Sequence, residues 1–158
     1  MNPVFLSIYI ALHTLSTVLL VRNYVLSALV VVPVLRRLVP EEEQSRLLPA
    51  LVARSRLWVL SSIATFIVTG FLMLVSDSHY QGFMEIGNTW SVLMYAKHNL
   101  VFGWIVLGVY LDMGVTRRLA GARASDRPGL LTQFQRINSL TAAGGVIIIP
   151  MTAVVQVM

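Results

Sequence analysis

Two histidines, His13 and His98, are the residues of this 158-residue chain best suited to chemistry. A neutral imidazole binds haem iron or a transition metal through one ring nitrogen while the other fixes its tautomer. His13 lies in FLSIYIALHTLSTVLLVRNYVLSALVVVPVL and His98 in MYAKHNLVFGWIVLGVYLDMGV, both long apolar runs. An ionisable side chain at such a place is costly, so it is expected to face a protein interior and work there. A lone histidine in a span most often satisfies a serine or threonine on a neighbouring helix. Two at matching depth on parallel helices suit the two faces of one haem, with an axial nitrogen from each. Lys97, the only lysine, stands beside His98. Its stem can snorkel to the surface, where the ammonium either meets a haem propionate or simply anchors the helix end.

The remaining polar residues offer less. Arg22 follows His13 by nine residues, about 180° round a helix, and so cannot share its face. It is read as the partner of Asp112 in a structural ion pair, with proton or quinone handling as the pair's other task. His79 falls in the polar-aromatic stretch SHYQGFMEIGNTWS and reads as solvated, on the side where it could join an outward metal site. Copper(I) favours sulfur ligands. Of the seven methionines, Met73, Met84, Met94 and Met158 fall near the same side, which makes a sparse copper path the second metal reading. The absence of cysteine excludes disulfides, thiolate metal sites, iron–sulfur clusters and covalently attached haem. No glycine-rich phosphate loop precedes a helix, and no nucleophile–base spacing stands out. Gly70, Gly103, Gly108, Gly144 and Gly145 read as close helix contacts.

The elements that position these residues are helices with nowhere to meet water. Hydrophobic residues make up 56% of the chain and charged ones 12%, about half the share of a soluble domain. The mean hydropathy is +0.75. A hydrocarbon core of about 30 Å needs roughly 20 apolar residues in a helix. Spans are therefore predicted at about 5–35, 57–75, 92–115 and 137–157, with a short surface helix over Glu41–Arg56 running into the second. They form one bundle, a single domain over 1–158. The first span is too long for a signal-peptide core and is taken as retained. Arginines crowd the first and third connections, and the second has neither lysine nor arginine. Under the positive-inside rule both arginine-rich loops are cytoplasmic and both termini face outward. The net charge of +5 thus reports topology, and nucleic acid is not an expected partner. In this arrangement His13 and His98 each sit roughly 9–12 Å below the outer surface, on parallel helices.

The segment ALHTLSTVLLVRNYVLSALVVVPVLRR resembles the first span of CopD-like membrane proteins, with a histidine, a small-residue stretch and a proline-plus-arginine end. RLWVLSSIATFIVTGFLML resembles their second span, and MYAKHNLVFGWIVLGVYLDMGVTRR their third. QRINSLTAAGGVIIIP is similar to the closing one. The likeness covers nearly the whole chain, as apolar helices with few fixed residues; it departs at Arg22, where a small residue is expected. The wider group includes copper-resistance permease domains and HemJ-type protoporphyrinogen oxidases, which bind haem b. The resemblance implies roles for His13, Lys97 and His98.

The expectation is an all-α transmembrane four-helix bundle, multi-pass in a bacterial-type inner (plasma) membrane. It holds one haem b between spans 1 and 3 through His13 and His98, with Lys97 on a propionate. It moves electrons as a small cytochrome, or as a subunit of a larger redox complex, with a redox protein or quinone as partner and self-association left open. A CopD-like copper permease and a HemJ-like oxidase are the alternatives, so whether it is an enzyme is also left open.

Overall fold

A computed structural model describes residues 3–77, 80, 82, 87 and 89–156, and every regular element among them is helical. Helix α1 comprises Pro3–Leu26, a wider π-wound turn Ser27–Val31, and Val32–Leu38. Helix α2 is one unbroken run, Glu41–Val75. Helix α3 comprises Thr89–Val109, a π-wound segment Tyr110–Val115, and Thr116–Ala120. Helix α4 is Arg127–Gln156. The surface helix expected over Glu41–Arg56 therefore does continue into the second span, straight through Pro49. Its first turn carries Glu41, Glu42 and Glu43, where the helix dipole favours negative charge.

Three stretches, Val4–Leu38, Glu41–Val75 and Thr89–Ala120, are long and apolar enough to cross a membrane. Their outward faces make the same point. Leu29, Leu57 and Trp58 are 72%, 74% and 75% exposed, and Phe102 is 69% exposed. Side chains of this kind belong against lipid, since a water-soluble protein rarely leaves such a continuous apolar surface open. This is a membrane protein.

With apolar residues on every side, the spacing of the buried positions marks the inward face. Along α2 the sheltered positions are Leu48, Val52, Ser55, Val59, Ser62, Phe66 and Thr69, alternating four and three residues apart. Along α3 Val101, Trp104, Gly108, Leu111 and Val115 do the same, and along α4 Phe134, Asn138, Thr141, Gly145 and Ile148. That spacing is the knobs-into-holes rhythm of helices packed at a shallow angle. Helix α1 lies along α2 and α4, α3 lies along α4, and the Thr116–Ala120 end of α3 meets α2.

Glycines set the closest approaches. A Cβ on Gly144 or Gly145 would stand 3.0 or 3.1 Å from the Trp104 ring, whose Nε1–H donates to the Thr141 carbonyl at 2.6 Å. A Cβ on Gly108 would stand 2.5 Å from the Tyr24 hydroxyl, and one on Gly70 would stand 3.0 Å from the His13 ring. Gly103 is different: nothing lies within 4 Å of its Cβ position, so it is not the helix contact expected of it.

Both π-wound turns have identifiable supports. Pro33 has no N–H and its ring crowds the carbonyl four residues back, and the wide turn Ser27–Val31 accommodates it without a break in the axis. In α3 the Thr116 hydroxyl donates to the Leu111 carbonyl at 2.7 Å, and Arg56 Nη2 donates to the Asp112 carbonyl at 3.3 Å. The arginine-rich connections gather at one end of the bundle. There Arg36 donates to Gln135 Oε1, and Glu42 faces Arg46 at 3.0 Å and Arg127 at 3.8 Å.

Candidate functional site

His13 is half-buried on α1 and turned onto α2. Its Nδ1 lies 3.1 Å from the Phe66 carbonyl and 3.1 Å from Thr69 Oγ1. A carbonyl only accepts, and the Thr69 hydroxyl donates to the Thr65 carbonyl at 2.6 Å. Nδ1 therefore carries the proton, and the lone pair resides on Nε2. The ring stacks on Phe66 with centroids 4.3 Å apart. Its α1 neighbours Ser16 and Thr17 donate to carbonyls of their own helix, so they do not compete for it. Contact with a threonine across the bundle is what a lone histidine in a span is expected to make.

His98 is exposed, and its Nδ1 donates to the Met94 carbonyl of its own helix at 2.7 Å. It too is left with the lone pair on Nε2. Lys97, which precedes it by one residue on α3, is partly buried. The three residues share one end of the bundle. The two rings are held differently, one by α2 and the other by the preceding turn of α3. His79, Met84 and Met158 lie outside the described residues. Among the described residues no trio of His, Asp and Glu side chains is gathered for a metal ion.

The Arg22–Asp112 ion pair expected from their depths is not formed. Arg22 is exposed on α1, whereas Asp112 is buried on α3 with Arg56 of α2 as its nearby cation. Depth along a helix says nothing about rotation about its axis, and Arg56 had been assigned to the first connection. Both Arg22 and Asp112 nevertheless line one cavity of about 430 Å³, with Tyr24, Ser62 and Asn138 also in its wall. Tyr24 and Asn138 are 3% and 1% exposed, yet among the described residues the Tyr24 hydroxyl and the Asn138 Nδ2 have no hydrogen-bond partner. Arg56 Nε is a third such atom. Buried polar groups are nearly always satisfied, so two orphans on residues that line one cavity call for a partner.

No family model, no curated protein and no solved structure matches the chain. The site is therefore read from its own residues. Sequence reasoning passed over Tyr24, Arg56 and Asn138. Asn138 and Ser62 carry a usable signal, since each is a polar residue on the alternating four-and-three seam of its helix. Tyr24 has none, because its hydroxyl becomes notable only when Gly108 is found beneath it.

Proposed function

We propose that the protein is a multi-pass protein of a bacterial-type inner membrane that binds haem b and transfers electrons. In this reading α4 is the fourth span and both termini face outward. The single observation that carries it is the hydrogen bonding of the two histidines. Each donates Nδ1–H to a backbone carbonyl, which fixes the ring and leaves Nε2 free to bind iron. His13 and His98 would hold the iron, and Lys97, adjacent to His98, would meet a propionate. The donor set fits: two neutral imidazoles and one ammonium at the same end of an apolar bundle. Haem, when bound, supplies one-electron chemistry, and two imidazoles favour electron transfer over oxygen activation.

The chain's own residues then have definite tasks. Phe66 and Gly70 define the slot that holds the His13 ring, and Thr69 and the Phe66 carbonyl hold its proton on Nδ1. The CopD-like and HemJ-like likeness supports the same residues. The test is the visible spectrum of the purified full-length protein. A Soret band with resolved α and β peaks on reduction is expected, lost in His13→Ala and converted to a five-coordinate spectrum in His98→Ala. A colourless protein without extractable porphyrin ends the reading.

A further inference from the structure

The cavity holding Asp112 lies apart from His13, and its chemistry points to a second ligand. Its walls are mostly apolar, and Leu26 and Trp58, 46% and 75% exposed, stand at its rim, so it opens between α1 and α2 onto the lipid-facing surface. A volume of about 430 Å³ is within the range of small-molecule sites. Its polar groups are asymmetric in kind. Among the described residues Tyr24 O–H and Asn138 Nδ2–H are donors without acceptors, and Asp112 is a buried acceptor in the same wall. The π-wound turns of α1 and α3 contribute Ser27 and Asp112 to the same wall, and departures of this kind recur at functional sites.

We propose that this cavity binds a lipid-soluble molecule with carbonyl oxygens on a compact ring, of the quinone class. A ring carbonyl accepts from Asn138 and Tyr24, an apolar tail leaves between Leu26 and Trp58, and Asp112 accepts from the hydroxyl of a reduced form. The wall carries one cation, the exposed Arg22, and one carboxylate, Asp112, so it has no net charge to draw a charged headgroup. An aliphatic lipid alone would leave the donors unmatched. The proposal does not depend on haem.

The probe is decylubiquinone, titrated against the tryptophan fluorescence of the full-length protein in nanodiscs, where Trp58 at the rim reports occupancy. Saturable quenching is expected. Tyr24→Phe and Asn138→Leu should weaken it by roughly tenfold when combined, the scale of one or two lost hydrogen bonds. His13→Ala should leave it unchanged, which separates this outcome from that of the haem reading. Quenching that never saturates, equal affinity in the double variant, or equal displacement by dodecanol would each overturn the proposal. Tyr24→Phe alone removes only an unpartnered hydroxyl, so it folds and decides the matter if Asn138→Leu does not.

Discussion

At the scale of single residues the informative contacts are the tight ones. Gly108→Ala places a methyl carbon 2.5 Å from the Tyr24 hydroxyl, and overpacking of this kind costs about 1–3 kcal/mol. Tyr24→Phe removes the offending oxygen. The pair should therefore couple: the loss in Gly108→Ala is partly recovered in the double variant, the ring Cζ still lying 3.0 Å from the added carbon, measured by unfolding in mixed detergent. Tyr24→Phe alone should leave stability unchanged or raise it by up to about 1 kcal/mol, because the hydroxyl it deletes is buried without a partner. Gly70→Ala crowds His13 Cε1 at 3.0 Å, and in the haem reading it should lower haem occupancy more than it lowers stability. A porphyrin content that tracks stability alone would separate Gly70 from the ligand role of His13.

Among the elements, α2 and α3 are joined where their polar groups meet. Arg56 reaches from α2 to a carbonyl in the π-wound segment of α3, and a hydrogen bond from a charged donor is worth about 1.5–3 kcal/mol. Arg56→Met should cost that much in the same unfolding assay and expose Asp112 as an uncompensated buried carboxylate. Thr116→Val removes the hydroxyl on the Leu111 carbonyl and should cost about 0.5–1.5 kcal/mol. A larger Arg56 effect than Thr116 effect is the expected order. The opposite order would mean that the π-wound turn, rather than the charge, is what holds these helices together.

For the whole molecule the open quantity is which end faces the cytoplasm. The arginine-rich connections lie together at one end, as Arg36 with Gln135 and Arg127 with Glu42 show. The chain has no cysteine, so single cysteines report cleanly. Ser125→Cys, between α3 and α4, should resist a membrane-impermeant maleimide in intact cells, and Ser78→Cys, between α2 and α3, should react. Labelling of Ser125→Cys but not Ser78→Cys would invert the topology and place His13 near the inner face.

Length and apolarity alone determined that this chain is helical, that it enters a membrane, and roughly where its helices run, because a bilayer admits few backbone solutions. What residues share a site was decided only by tertiary structure. Lipid-facing and inward faces are both apolar here, so composition cannot set the rotation of a helix about its axis. That rotation turned His13 onto Thr69, left Arg22 exposed, and put Arg56, read as a loop arginine, beside Asp112. The cavity is the sharpest case. Four helices each contribute a polar residue, and only their packing makes one polar pocket of them.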